Sequence, residues 1–362
     1  RFIVRKGAAH STGVVSISGN TIENSLLSAS VNPSTGVISS LEWKRNGLQL
    51  ASQRQGEGLN EYIYVPGTDP KDAKRVTNVK VSVKEKGKLV SSLLVEADAP
   101  GCKKFSCEVR VLDGINRVDI INRLDKEAIR TKEGVHFAFA FSVPQGQLRY
   151  DVAHGIVRPE EDQLPGACKN FFSVQSWVDV SNDQRGITWA TPDAPLIEIG
   201  TITAEKRWLK DADNAQNFYS YVMNNYWHTN YKADQEGMIT FRYSLQPHGE
   251  YLIEEVVRFG MGQREPLIAV AAAGPAKADN SLFEMESSSI LSISTKPIGT
   301  EGAWLLCLYN PTALNHTASL QWNRGIPVSF HASDAFGKTG EPLGGGIQVP
   351  AYGTVFVRVN RK

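Results

Sequence analysis

The sequence predicts an all-β protein, and three observations lead there. Segment after segment alternates apolar and polar residues with a period of two. Helical periodicity is nearly absent. The alternating runs are rich in Val and Ile and are bounded by Gly, Asn, Asp or Pro. Together these are the marks of half-buried antiparallel strands joined by tight turns.

Taken in chain order, the runs are GVVSISG, SASVNP, VKVSVKEK, SCEVRVLDG and NRVDIINRL. Between Val31 and Val37, Pro33-Ser34-Thr35-Gly36 supplies turn chemistry, so a hairpin is expected there. Asp113-Gly114 does the same inside VLDGINRVDI, with Gly free to take positive φ. The one helix candidate is Glu250 to Phe259, with Leu252, Val256 and Phe259 on one face and Gly260 and Gly262 to end it. Val256-Val257 would also suit a strand. The small, turn-rich EPLIAVAAAGPAKADNS then reads as a join. Shorter strands follow: SILSIST, GAWLLCLYN, ASLQWN, PVSFHAS, GIQVP and TVFVRVN. The expected organisation is a large antiparallel supersandwich over about 14–260, in a first domain of residues 1–262. A small β-sandwich at 263–362 follows it.

Composition excludes several classes. Lys+Arg is 39 and Asp+Glu 38, a formal net charge of +1, which is no footprint for nucleic acid or an anionic membrane. The longest apolar stretch, Pro266 to Ala273, is far short of the roughly 18–20 residues of a membrane span. A soluble chain is expected, with its compartment, cytoplasm or periplasm, left open. The start RFIVRKGAAHSTG has no Met and no hydrophobic signal core, so the chain reads as a processed product or a fragment. Four cysteines make no disulfide scaffold. Cys102 and Cys107 are near enough in sequence to pair across a turn, whereas Cys168 and Cys307 stand apart. No C-x-x-C occurs and no His sits at zinc-ligand spacing from a Cys.

The middle third holds Trp177, Trp189, Trp208 and Trp227, four of the seven tryptophans, among carboxylates, amides and tyrosines. Sugars are recognised by such a mixture, since aromatic faces stack on the C–H face of a pyranose while polar groups pair with its hydroxyls. Three stretches stand out. RPEEDQLPGACKNFF carries Glu160, Glu161 and Asp162, and paired carboxylates are what glycosidic acid/base chemistry uses. An acidic run beside a turn is also the ordinary composition of a solvated loop. In QSWVDVSNDQRGITWATPDAPLIEIG, Trp177 and Trp189 fit adjacent core strands, and Asp193 sits in a stiff loop between Pro192 and Pro195. NNYWHTNY places Asn225, Trp227, Thr229 and Tyr231 on one side of a strand and Asn224, Tyr226, His228 and Asn230 on the other. Neither side is purely apolar, which suggests a wet cleft or a polar domain contact. The carbohydrate-facing candidates are therefore Asp162, Trp177, Asp193, Asn224, Asn225, Trp227, His228, Asn230, Tyr231 and Arg242. No nucleophile elbow, phosphate-binding or dinucleotide-binding motif occurs. His136, between Val135 and Phe137, reads as a satisfied strand residue.

At these stretches the sequence resembles the C-terminal β region of glycoside hydrolase family 38, the α-mannosidases, and bacterial members most of all. The matching pieces are VNPSTGVISSLEWKRNGLQL, RVDIINRLDK, EGVHFAFAFSVPQGQLRYD, DQLPGACKNFF, WVDVSNDQRGITWATPDAPLIEIG and NNYWHTNYKADQEGMITFRYSLQPH. They run collinearly from about residue 22 to 248, about two-thirds of the chain. The resemblance implies a galactose-mutarotase-like supersandwich. It also implies an N-terminal α/β catalytic domain, outside these residues, that carries zinc, its His and Asp ligands and an Asp nucleophile. No catalytic residue and no metal ligand is carried over onto this chain, which alone is expected to be inactive. The implied partners are a mannose-containing glycan and the parent's own catalytic domain, with a homo-oligomer left open. A stand-alone carbohydrate-binding module is the alternative. A mutarotase-type epimerase would need a carboxylate base and a His acid across one cleft, with Glu198 or Asp193 and His154 or His228 as the candidates.

Overall fold

A computed structural model gives the fold. It describes residues 13–361 except 53–57, 205–207, 213–215, 228–229, 231, 269–280, 288, 300–301, 323–326 and 345.

The alternating segments form antiparallel sheets, as their period requires. The largest has nine strands, in the spatial order Gly155–Val157, Gln147–Val152, Trp177–Ser181, Gly186–Ala190, Gly237–His248, Val118–Lys126, Cys102–Leu112, Val90–Asp98 and Thr77–Lys86. A five-stranded sheet faces it, ordered Phe172–Ser173, Leu196–Ile199, Asn217–Asn224, Glu133–Ala140 and Glu61–Pro66. An N-terminal meander from Ser16 to Gln49 makes a further five-stranded sheet. Both expected hairpins are present. Leu27–Val31 pairs with Ile38–Trp43, and Cys102–Leu112 pairs with Val118–Lys126 across Gly114 at φ 65°.

The core between the two large sheets is aromatic. Trp189 of the nine-stranded sheet lies 5.3 Å from Phe139 and 5.1 Å from Phe218, both of the facing sheet, between ring centroids. Tyr243 stacks on Trp189 and sends its hydroxyl across the gap to Ser220 Oγ at 2.9 Å. Edge-to-face pairs of this kind add about 0.5–1.5 kcal/mol each beyond the area they bury. Asn60 and Asn122 bridge the same sheets by reciprocal amide hydrogen bonds of 2.9 and 2.8 Å. They satisfy polar groups that would otherwise be orphaned in the core.

Three expectations change. The helix runs over Ile253–Arg264, later than expected, and passes through Gly260 and Gly262 instead of ending there. Glu254 and Glu255 in its first turn and Arg264 in its last suit the helix dipole. Its buried face holds Val256, Val257, Phe259 and Gly260, and it lies on the strand Trp177–Ser181. Gly260 is there for space: a Cβ would stand 2.2 Å from Trp177 Cδ1. The second change concerns NNYWHTNY. Its strand stops at Asn224, because the Asn225 side chain turns inward. Asn225 Oδ1 accepts from Glu133 N at 2.6 Å, and Nδ2 donates to the carbonyls of Ile129, Thr131 and Ala233. Third, Cys102 and Cys107 lie on one extended strand and are free thiols. At about 3.3 Å per residue they are too far apart to pair.

The C-terminal strands form a five-stranded and a three-stranded sheet around a separate apolar cluster that includes Leu306, Leu308 and Val357. A second cluster of Trp177, Val256, Val257, Leu291 and Tyr309 joins this region to the helix and the nine-stranded sheet. His154 also reaches Thr354 Oγ1 at 2.8 Å. Asp151 is buried beside this junction, where its Oδ1 accepts from the backbone of Ser176 and Trp177 at 2.7 and 2.9 Å. Burial outweighs those donors and pushes its carboxyl up to about 6.

Two predictions follow from the packing. Gly260→Ala should destabilise the protein by about 1–3 kcal/mol through overpacking against Trp177. Gly262→Ala, with nothing within 4 Å of its Cβ, should instead stabilise it by about 1 kcal/mol. Urea unfolding of both variants checks the pair, and equal effects would refute the packing argument. Asp151 holds its proton more tightly folded than unfolded. Stability should therefore fall as pH rises from about 4 to about 6, at a cost of order 3 kcal/mol, and stay lowered above that. Asp151→Asn should flatten that part of a stability-against-pH curve.

Candidate functional site

The nine-stranded sheet has an apolar inner face and a polar outer one, and the register shows how its rows are built. Asp179, Thr188 and Gln246 are cross-strand neighbours, as are Ser244, Asp119 and Arg110, and then Arg242, Ile121 and Glu108. The charges in these rows are paired. The Glu108 side chain is 1% exposed and meets Arg110 at 2.9 Å, Arg123 at 3.6 Å and Lys84. Burial acts against the charge, but hydrogen bonds from Lys84 and Arg110 overcome it and hold the carboxyl down at about 2. Asp119 takes Arg117 at 2.7 Å and the Ser244 hydroxyl at 2.6 Å. Such pairs fix side-chain positions more than they add stability.

At one end of this face, beside the start of the helix, lies a pocket of about 290 Å³. His248 forms part of its wall and closes the strand Gly237–His248. Its Nε2 lies 2.7 Å from Asp179 Oδ2, and its Nδ1 lies 3.2 and 3.3 Å from the carbonyls of Gly249 and Glu250. Asp179 is fully buried and also accepts from the hydroxyls of Thr188, at 2.9 Å, and Ser181. Arg149 Nη1 donates to the same Ser181 oxygen at 3.1 Å. Burial disfavours a charged His248, but the hydrogen bond and charge of Asp179, aided by the two carbonyls, hold its pKa above 6.5. With an acceptor on each side, the protonated ring donates from both nitrogens, so the setting favours the imidazolium and holds the ring in place. Gly186 makes room for it, since a Cβ there would stand 2.2 Å from His248 Cε1.

The structure scatters the residues singled out from the sequence. Asp193 and Arg242 come together as a fork, Nε to Oδ2 at 2.8 Å and Nη2 to Oδ1 at 2.7 Å, pinning the Pro192–Pro195 loop to the outer face. Arg242 stays open, its side chain 56% exposed. Asp162 forms a second fork with Arg158, at 2.9 and 2.8 Å, within its own loop. Glu161 joins the same arginine at 2.6 Å, and Glu160 takes Lys169 and the Ala212 amide. The acidic run is therefore an ion-paired loop and presents no acid/base pair. Trp177 is fully buried under the helix and has no face to offer a sugar, a correction to its candidacy. Asn225 is consumed in its four backbone hydrogen bonds. Asn224 ends a strand of the five-stranded sheet, away from the Arg242 row, and Asn230 is exposed. Trp227 is 42% exposed, edge-on to Tyr226. His228 and Tyr231 lie outside the described residues.

The carboxylate–histidine pairs differ from those expected for an epimerase. Glu198 is fully buried and pairs with buried His136 at 2.7 Å, whose ring stacks on Tyr221. Thr203 N donates to the other Glu198 oxygen at 2.8 Å. The pair is sealed from any ligand. Asp193 serves Arg242, and His154 serves Thr354. Sequence reading missed His248, Asp179 and Gln246. His248 was a lone histidine after a proline, and the register that sets it against Asp179 is invisible without the sheet.

Residues 22–192 match the family model described as the glycosyl hydrolases family 38 C-terminal domain, so the resemblance read from the sequence is borne out over that span. No curated protein matches the sequence. Among solved structures, an alpha-mannosidase from Enterococcus faecalis V583 matches with a TM-score of 0.69 at 13% identity, over 97% of this chain and 43% of its own. A protein in the glycosyl hydrolase family 38 from Enterococcus faecalis gives 0.70 at 14%, over 97% and 45%. A galactose mutarotase related enzyme from Lactobacillus acidophilus gives 0.39 at 12%, over 64% and 99%. At these identities the first two likenesses show the fold. The chain spans under half the length of both.

Asp179 and His248 yield a prediction whose sign is fixed by the raised histidine pKa. Their pairing contributes fully below pH 6.5 and fades as pH rises through the folded-state value. Asp179→Asn should lower the His248 midpoint, because burial is then opposed only by the two backbone carbonyls. NMR titration of the ring protons reads this directly, and an unchanged midpoint would overturn the assignment.

Proposed function

We propose that this chain is the C-terminal β portion of an α-mannosidase-like retaining glycoside hydrolase, where it supports the catalytic domain and walls the sugar site. The match of residues 22–192 to that family's C-terminal domain carries the reading. The likeness over 97% of the chain, filling under half of two larger proteins, supports it.

The chemistry of the outer face suits this role. A neutral glycan gains little from a net field and much from fixed hydrogen-bonding groups. Rows such as Glu108 held by Lys84, Arg110 and Arg123 supply a stiff polar wall of fixed hydrogen-bonding groups. The Asp193–Arg242 fork holds a loop in place and leaves guanidinium surface open. The proposed partners are a mannose-containing glycan and the catalytic domain of the same polypeptide. Zinc belongs, on this reading, to that domain. Among the described residues no three His, Cys, Asp or Glu side chains gather as a metal site would need. A carbohydrate-binding role for the chain by itself is a second reading, favoured by the pocket beside His248.

The deciding assay is hydrolysis of an aryl α-mannoside by the 362-residue chain, with and without added zinc. No turnover is expected from the chain alone, and zinc-dependent turnover is expected from the longer polypeptide. Turnover by the 362 residues alone, or none by the longer protein, would sink the proposal.

A further inference from the structure

The pocket beside His248 has a wall chemistry that points to a ligand. Its floor includes Trp43, a side chain 6% exposed, with the Arg45 guanidinium 5.8 Å from the centre of its ring. Asn116 lines the pocket too. Its Nδ2 donates to Pro247 O at 2.6 Å, which fixes the amide's orientation. Its Oδ1 is buried and has no hydrogen-bond partner among the described residues. A buried acceptor left unpaired costs on the order of 1–3 kcal/mol, a cost that an O–H or N–H donor in the pocket would remove. Glu250 and Glu255 add carboxylate acceptors to the wall, and Gln246 adds an amide that both donates and accepts.

Acceptor oxygens come from four of these side chains, Glu250, Glu255, Asn116 and Gln246, so a fitting ligand brings several hydroxyl or amine hydrogens. A cationic amine would be drawn to the two glutamates but repelled by Arg45 and by the imidazolium of His248. A neutral polyol meets no such penalty, because each hydroxyl donates to a carboxylate and accepts from the guanidinium or the amide. A volume of about 290 Å³ sits at the small end of ligand pockets and suits one ring better than a chain of rings.

We propose that this pocket binds a single neutral sugar ring, its hydroxyls held by Glu250, Glu255, Gln246 and the free oxygen of Asn116. The choice of a sugar among polyols rests on the glycoside hydrolase reading. The pocket and its donor–acceptor balance do not.

The test uses the 362-residue chain and three probes: methyl α-D-mannopyranoside, myo-inositol and lysine amide, titrated by NMR and calorimetry. The mannoside should bind, with shifts centred on the Trp43 indole and His248 ring signals, and should bind more tightly than inositol. Glu255→Ala, on the exposed first turn of the helix, and Gln246→Ala should each weaken binding about tenfold while the variants stay folded, as expected for one lost hydrogen bond to a charged or fixed partner. Inositol binding as tightly as the mannoside would keep the polyol site and overturn the sugar assignment. The proposal as a whole fails if no polyol binds, if lysine amide binds better, or if both variants bind as the parent does. Its failure is separable from that of the glycoside hydrolase reading, which is measured by turnover in the longer polypeptide and not by binding here.

Discussion

The constraint on which the rest of the structure depends is that the strand Trp177–Ser181 is buried on both faces. Val178 and Val180 point into the aromatic core between the two large sheets. Trp177, Asp179 and Ser181 point the other way, where an antiparallel sheet would ordinarily meet water. Here the helix Ile253–Arg264 covers Trp177, and His248, just before it, closes over Asp179. That cover turns Trp177 into the apolar centre of the junction with the C-terminal strands, and it turns Asp179 into a carboxylate without solvent. A buried carboxylate must find donors or give up its charge. Asp179 finds two hydroxyls and an imidazolium, and the imidazolium becomes part of the pocket wall. The pocket is thus a consequence of covering one strand.

Much of the fold was legible from residue pattern, because period-two alternation is a local property. Both early hairpins follow from Pro33-Ser34-Thr35-Gly36 and Asp113-Gly114, whose turn chemistry acts within a few residues. The expected all-β class holds throughout the described residues, and the one helix was flagged. What was not legible is what distant strands do to one another. WVDVS reads as a strand by its alternation, and nothing in five residues announces a helix arriving some eighty positions later to cover Trp177. The glycines misled for a related reason. Gly260 reads as a helix stop by propensity, yet its use is clearance for an indole, and packing outweighs the roughly 1 kcal/mol by which glycine disfavours a helix.

The candidate sugar residues divide along the same line. Asn225 and Trp177 have the right chemistry for a glycan, and the fold uses that chemistry internally, one for backbone donors and acceptors and one for apolar packing. Composition cannot tell an amide that meets a ligand from one that staples a loop. Asp193 and Arg242 were each visible, but their pairing across 49 residues of chain was not. The balanced charge of the sequence has the same two-level meaning. A net of +1 looks like an absence of electrostatics, whereas on the outer face it is a dense set of opposed charges at contact distance.

Two glycines show how finely the polar face is set. Gly260 fixes how closely the helix can approach Trp177, and Gly186 fixes how closely His248 can lie over the sheet. A Cβ at Gly186 would also stand 2.5 Å from Ser181 Cβ, so any side chain there would push on the ring and on a donor to Asp179 together. The helix and the histidine are therefore seated by missing atoms, and Asp179 is sealed because both are seated. A charged pair held in this way has little freedom to exchange protons with a ligand. Its contribution is a fixed cationic edge and a fixed wall. That is the property required of a part of a binding surface that positions a neutral molecule without reacting with it.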